Sequence, residues 1–259
     1  MGDRVPPLVV ENGLYRVIKH KVGKAIQEFG LIDPGDRILV ALSGGKDSWT
    51  LLHILEMLRR RAPVSFELLA VTVDPGFEGF EAGRIAAYCR ERGFPFHCER
   101  TGAREIIDAH LDPRKSYCAF CARLRRGALY NLAERLGCTK IALGHHLDDA
   151  VETLLLNQFY VGTLGAMPAK LHSDDGRNTV IRPLLYVEEK QAASFARRNG
   201  FPVVSCRCPR CDIVDGKRAR MKALLRELEG EDRRIKRSLL RSLHNVQPRH
   251  LLDKRLWAF

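Results

Sequence analysis

Two sets of residues in this sequence have the types and spacing to do chemistry. The first lies in "VALSGGKDSWTLL", Val40 to Leu52, where an apolar run gives way to Gly44 and Gly45 and then to Lys46 and Asp47 at the start of a helix-period segment. Paired glycines permit a tight turn and close backbone approach, so several N–H groups can converge on an anion at a helix N-terminus. Lys46 adds a positive charge, and Ser43 and Ser48 add hydroxyl donors, which suits a phosphate. Clustered phosphates need a hard cation with carboxylate support, and Asp47 is placed to help hold Mg2+. A purely structural account makes the same stretch a glycine turn with Asp47 or Ser48 at a helix start. The spacing differs from the common nucleotide loop G-x-x-x-x-G-K-S/T.

The second set is the cysteines, eight in all. Cys118 and Cys121 form a C-x-x-C pair in "SYCAFCARLRRGALY", directly before a predicted helix, so both sulfurs can face one centre and the helix N-terminus lowers their pKa values. Cys206, Cys208 and Cys211 form a second group in "SCRCPRC", while Cys89, Cys98 and Cys138 stand alone and read as buried small apolar side chains. In a reducing compartment such clustering argues for metal or redox chemistry and against a disulfide framework. A structural zinc site and an iron–sulfur site are both compatible, and spacing alone does not choose between them. A third stretch, "ALGHHLDDAVETLLLNQFY", sets His145, His146, Asp148 and Asp149 where a strand ends and a helix starts. Taken by itself this is helix capping, since carboxylates favour a helix N-terminus.

Something must hold these stretches together. "RILVAL", "FELLAVTV", "PFHCE", "KIALGH" and "VIRPLL" are short β-rich runs, and helix-period segments such as Asp47–Arg61, Glu81–Arg92 and Cys121–Leu136 lie between most of them. Such alternation predicts an α/β fold with a parallel sheet and helices on both faces. Ligands sit at the carboxyl ends of strands in such sheets. Ser43 to Ser48 follow the first run, Asp74 the second and His145 to Asp149 the fourth. "LYRVIKHKVGKAIQEFGL" puts Leu14, Val17, Ile18, Val22, Ile26 and Phe29 on one face of an amphipathic N-terminal helix. After Cys211 the strand pattern stops and two basic helices broken near Gly230 are expected. The domain organisation predicted is an N-terminal helical segment 1–35, an α/β domain 36–211 and a basic helical segment 212–259.

Composition narrows the partners. Forty-three lysines and arginines against 31 aspartates and glutamates leave a net charge of +12, which favours a polyanion such as nucleic acid. No apolar run approaches a membrane span and "MGDRVPPLVVENG" lacks a signal-peptide apolar region, so no membrane partner and a cytoplasmic location are expected.

The spacing S-G-G-K-D-S resembles the PP-loop of the ATP pyrophosphatase superfamily, whose members cleave ATP between the α- and β-phosphates. Together with "CAFCARLRRGALY", "LGHHLDDAVETLLLNQFY", "MPAKLHSDDGRNTVIRPLLYVEEK" and "HNVQPRHLLDKRLWAF", it makes nearly the whole chain resemble the tRNA 2-thiocytidine synthetase family. Members of that family adenylate the C2 oxygen of cytidine 32 in certain tRNAs and replace it with sulfur. They carry a 4Fe-4S cluster on three cysteines, with the fourth iron open to the sulfur donor, and often dimerise. The resemblance therefore implies a Rossmann-like fold, ATP, Mg2+ and a 4Fe-4S cluster as cofactors, and tRNA as substrate. It also implies a sulfur donor in the form of sulfide or cysteine desulfurase-derived sulfur, and a homodimer. It implies ATP contacts from Ser43, Gly44, Gly45, Lys46, Asp47, Ser48, Asp74, Gly144 and His145. Asp149, with Asp47, Lys46 and Arg125, would serve the reaction. Cys118 and Cys121 correspond to two cluster ligands. Cys208 is taken as the third, with Cys206 and Cys211 as alternates, because Cys208-Pro-Arg-Cys211 has the family's C-x-x-C spacing while Cys206 stands at the gapless distance from Phe201-Pro202.

Two rivals stay open at this level. A related thiolase acting on another tRNA position, such as the 2-thiouridine 54 type, usually carries N-terminal zinc-finger cysteine pairs, which this N-terminus lacks. A non-catalytic zinc-stabilised RNA-binding module would show no ATP turnover and no sensitivity to Lys46→Ala.

Overall fold

The alternation of apolar runs and helix-period segments becomes one six-stranded sheet in the computed structural model, which describes residues 9–110, 117–204 and 216–257. In chain order the elements are α1 (Gly13–Phe29), β1 (Arg37–Ala41), α2 (Lys46–Arg59), β2 (Glu67–Asp74), α3 (Ala82–Arg92), β3 (Phe96–Arg100), α4 (Ala103–His110) and α5 (Tyr117–Arg135). They continue with β4 (Lys140–Ala142), α6 (Leu147–Leu156), β5 (Lys170–His172), β6 (Thr179–Ile181), α7 (Glu189–Arg198), α8 (Gly216–Glu231) and α9 (Ile235–Ser242). Strand order is β3-β2-β1-β4-β6-β5. All neighbours are parallel except β5, which pairs antiparallel with β6 at one edge. This is an α/β, Rossmann-like fold.

The order dictates where a ligand goes. From β1 the chain steps to β2 and β3 through α2 and α3, then returns to β4 on the other side of β1 through α5. Right-handed crossovers put helices that step in opposite directions on opposite faces, so a crevice opens between the carboxyl ends of β1 and β4. On the α5 face, Leu39, Leu69, Val71 and Ile141 pack with Leu132 and Ala133. On the other face α2 lies against α1, α3 and α7 around Trp49, which is wholly buried.

His53 on α2 is the centre of an aromatic group there. Its ring stacks on Phe201 at 4.1 Å and meets Phe94 edge-on at 5.1 Å. One ring nitrogen lies 2.9 Å from the Trp49 carbonyl and the other 3.1 Å from the Tyr88 hydroxyl. Burial pushes its pKa down to about 4, so this imidazole is neutral at ordinary pH.

Several sequence expectations need correction. The N-terminal helix buries Tyr15, Ile18, Val22 and Ala25, while Val17 is 45% exposed, so its inner face is rotated from the one expected. Strand β5 was not anticipated, because "KLH" is too short to show alternation. The last two helices break at Asp232 to Arg234, and α8 runs through Gly230. Cys89 is buried, but Cys98 is exposed and Cys138 only half-buried. The chain forms two compact units, Met1–His146 with Pro168–Asp215, and Leu147–Met167 with Gly216–Phe259, so α6 groups with the basic helices α8 and α9. No described helix is long and apolar enough to cross a membrane.

The folded-state pKa of His53 lies below the unfolded value of about 6.5, so the unfolded chain takes up the proton first. Stability from this site is therefore complete above pH 6.5 and is lost as pH falls toward 4, by about 3 kcal/mol from the shift. Urea titrations across that range should show this slope, and His53→Gln should flatten it.

Candidate functional site

Strand β1 ends at Ala41, and Ser43, Gly44 and Gly45 turn the chain into α2. Gly45 occupies the N-cap in extended backbone, φ −75 and ψ 161, and has no side chain to cap the helix. First-turn N–H groups have no intrahelical acceptor, so a helix start of this kind presents donors to an anion. The two serines hold the turn rather than the helix end. Ser48 Oγ donates to the Gly45 carbonyl at 2.9 Å, and Ser43 Oγ lies 3.2 Å from Ser48 Oγ and accepts from the Gly45 N–H at 3.3 Å.

Two glycines are required by contact. Gly44 has φ 80, and a β-carbon on it would stand 2.1 Å from Val204 Cγ2 and 2.9 Å from Ile85 Cδ1. A β-carbon on Gly144, just past β4, would stand 3.1 Å from the Ser48 backbone nitrogen and 3.2 Å from the Asp47 carbonyl carbon. The exit of β4 thus lies directly on the backbone of the loop after β1.

Lys46 Nζ lies 2.8 Å from Asp47 Oδ2 and 3.3 Å from Glu189 Oε1 at the start of α7. Burial works to lower the Lys46 pKa, but the bonds and charges of Asp47 and Glu189 prevail and hold it above its ordinary value. The other carboxylate oxygen of Asp47, Oδ1, is buried and accepts no hydrogen bond among the described residues, with His146 Nε2 3.8 Å away. A buried carboxylate oxygen without a donor is unfavourable, and its chemistry suits a hard cation.

The neighbouring strand ends complete this edge. Asp74 closes β2; its Oδ1 accepts from the Gly76 N–H at 2.9 Å and its carbonyl accepts from the Thr101 N–H at 2.8 Å. After β6 comes Arg182, a residue sequence reasoning missed, although a lone arginine in the apolar run "VIRPLL" was a signal. It is buried, donates from Nε to His145 Nδ1 at 3.3 Å and from Nη1 to the Pro168 carbonyl at 2.7 Å. Accepting at Nδ1 leaves the proton of the neutral His145 imidazole on Nε2, as a donor. Burial, and secondly the charge of Arg126, lower the Arg182 pKa. Arg126 thus acts on this edge electrostatically, while Arg125 is exposed on α5.

Cys118 and Cys121 lie inside the first two turns of α5, not before it, because the helix already starts at Tyr117. Their i, i+3 spacing puts them on one helix face. Cys121 is buried with Phe77 and Ile107 and flanked by Phe120 and Leu124. The Cys118 side chain, and Cys206, Cys208 and Cys211 altogether, lie outside the described residues. The chain approaches the latter three along a fixed path. Trp49 Nε1 donates to the Pro202 carbonyl at 3.2 Å, and the Val204 N–H donates to the Gly44 carbonyl at 3.0 Å.

The second unit carries the two aspartates of the third sequence motif, in the first turn of α6. Asp148 is buried and accepts from Lys236 Nζ at 2.7 Å, which also lies 2.7 Å from Glu229. Asp149 is half-buried, and its carbonyl accepts from Thr153 Oγ1 at 2.7 Å. Asp148 therefore ties α6 to α9, a structural role. Of the residues predicted to bind nucleotide, Ser43 to Ser48, Asp74, Gly144 and His145 all lie at the carboxyl edge of the sheet.

Residues 14–208 match the PP-loop domain family. The chain is 61% identical over 247 residues to the tRNA-cytidine(32) 2-sulfurtransferase of Geobacter sulfurreducens, covering 95% of this chain and 96% of that protein. It is 58% identical over 251 residues to the protein of the same name from Syntrophotalea carbinolica, covering 97% of each. Among solved structures it is similar in fold to the U34-tRNA thiolase NcsA from Methanococcus maripaludis with its 4Fe-4S cluster. That match has a TM-score of 0.70 at 21% identity, covering 91% of this chain and 80% of that one.

The two contact glycines and the spacious one should separate in ATP binding measured by calorimetry. Gly144→Ala forces a backbone-to-backbone contact apart and is expected to weaken binding by about tenfold, in line with the cost of overpacking. Gly45→Ala meets only Ser43 Oγ at 3.4 Å, an ordinary contact, and should bind nearly as wild type.

Proposed function

The chain belongs to the PP-loop domain family and, within it, to the tRNA-cytidine(32) 2-sulfurtransferases, and from that membership we propose that it uses ATP to exchange the C2 oxygen of cytidine 32 in tRNA for sulfur. The observation that carries this reading is the phosphate loop. An α2 N-terminus with glycine at its cap, a charged Lys46 and a buried Asp47 Oδ1 that accepts no hydrogen bond among the described residues converge at the crevice where strand order reverses.

A pyrimidine carbonyl oxygen is a poor leaving group, so it must first be activated. In the proposed reaction the cytosine O2 attacks the α-phosphorus of ATP, the bond to the β-phosphate oxygen breaks, and pyrophosphate departs. Lys46 and the loop amides would stabilise the charge gathering on pyrophosphate, as donors set in advance of the reaction do. Asp47 would hold Mg2+ through Oδ1, the oxygen that accepts no hydrogen bond among the described residues. His145, its ring oriented by Arg182, would offer an Nε2–H to the nucleotide. Asp149 would contribute a carboxylate for acid–base work or metal binding, and Arg125 a positive charge near the base. Sulfur at the sulfide level then bonds to C2, the C2–O bond breaks and AMP leaves with the former carbonyl oxygen; sulfane sulfur from a cysteine desulfurase would first take two electrons from a thiol reductant.

Sulfur has to arrive without diffusing as free sulfide. The donor set suited to a soft centre is Cys118 and Cys121 on one face of α5 with Cys208 as third thiolate, and the burial of Cys121 among Phe77, Ile107 and Phe120 suits a centre shielded from water. When bound there, a 4Fe-4S cluster supplies an iron position open to the sulfur donor, which would be sulfide or sulfur from a cysteine desulfurase. The bond from Val204 to Gly44 supports a third ligand entering beside the ATP loop. A homodimer belongs to the same reading.

Anaerobically purified protein should contain iron and acid-labile sulfide near four each per chain, as one cubane cluster requires. Zinc without iron would sink the cluster. Lys46→Ala should lower tRNA-dependent AMP formation by about a hundredfold or more, the usual scale for removing a charge-stabilising donor. Cys118→Ala should abolish 2-thiocytidine in the tRNA nucleosides while ATP binding persists. Absence of tRNA-dependent AMP formation in the wild-type chain, unchanged in Lys46→Ala, would instead favour a non-catalytic RNA-binding module.

A further inference from the structure

The unit made of residues 147–167 and 216–259 carries thirteen lysines and arginines against eight aspartates and glutamates. Against that basic background one apolar surface stands out. Phe159 is 62% exposed, Val161 65%, Leu164 56% and Tyr160 39%. Three of the four belong to the π-helical turn Asn157–Val161 that continues α6, a turn with no buried residue. Exposed apolar clusters of this kind mark interaction sites, and π turns in helices recur at functional positions because the extra residue re-aims the side chains.

The rings stand on fixed backbone. Gly162, with φ 75, closes the turn through its N–H to the Asn157 carbonyl, which also accepts from Thr163 at 3.1 Å, and Asn157 Nδ2 donates to the Gly165 carbonyl at 2.8 Å. Lys217, in the first turn of α8, sets its ammonium 4.9 Å from the Tyr160 ring centroid, a cation–π distance. Arg218 follows, donating to Thr153 at 3.4 Å.

We propose that Phe159 and Tyr160 form a stacking platform for an unpaired base of the tRNA, with Lys217 meeting the phosphate beside that base. The proposal rests on tRNA being the substrate. RNA loops are read by splaying bases onto aromatic faces, and cations alongside track the backbone. A second copy of this chain would also cover apolar rings, but the surplus of cations around them repels an identical surface and attracts a polyanion.

The test uses the full chain, with fluorescently labelled tRNA for affinity, calorimetry for ATP, and sedimentation for self-association. Phe159→Leu with Tyr160→Leu keeps apolar bulk at exposed positions and removes only the ring faces. It should weaken tRNA binding by about tenfold or more, with ATP affinity and sedimentation unchanged. Phe159→Trp with Tyr160→Trp should retain tRNA affinity. Lys217→Ala should reduce the slope of log affinity against log salt by about one. Wild-type tRNA affinity in the leucine variant overturns the platform while leaving the enzymatic reading intact. A loss of tRNA binding that accompanies loss of a self-associated species also overturns it and makes the surface an interface between copies. A wild-type chain that does not bind tRNA overturns the functional reading and the platform together.

Discussion

The sheet unit depends on backbones that touch where side chains would ordinarily intervene. Gly144 lies against Asp47 and Ser48, and Gly44 lies under Val204. These contacts bring three separate segments, the exits of β1 and β4 and the stretch after α7 that ends at Val204, into one crevice. A β-carbon on Gly144 would press on the backbone of Asp47 and Ser48, and one on Gly44 would collide with the side chains of Val204 and Ile85. The charges follow from the same packing. With Lys46 held between Asp47 and Glu189, the loop keeps its positive charge although it is half-buried.

Much of this was legible in the sequence, for physical reasons. Two glycines before Lys-Asp-Ser admit few backbone conformations, and a parallel sheet makes runs such as "FELLAVTV" continuously apolar, so β1, β2 and their ligand-facing ends could be read directly. Strand β5 could not, because an edge strand of three residues has no period to detect. The role of Arg182 was missed for another reason. It comes from a partner, His145, brought close only by the pairing of β4 with β6. The start of α5 was placed one turn too late, because Tyr117 to Phe120 precede the amphipathic pattern and only Ala119 among them is a strong helix former.

The third motif divides its residues between roles that adjacency alone would not separate. His146 is buried in the sheet unit beside Asp47, whereas Asp148 spends its carboxylate on Lys236 and fastens α6 to α9. Replacing Asp148 would leave Lys236 with Glu229 as its anion and loosen the tie between α6 and α9, so a loss of activity on changing Asp148 would report on folding as much as on chemistry.

The bond between Val204 and Gly44 joins residues separated by a hundred and sixty positions of chain. Ribosomal synthesis delivers them in order, N-terminus first, so β1, its loop and α2 emerge long before the residue that lies over Gly44. A nascent chain therefore holds the nucleotide loop in an unfinished form throughout most of its translation. The loop acquires its last wall only as the segment bearing Cys206, Cys208 and Cys211 leaves the ribosome.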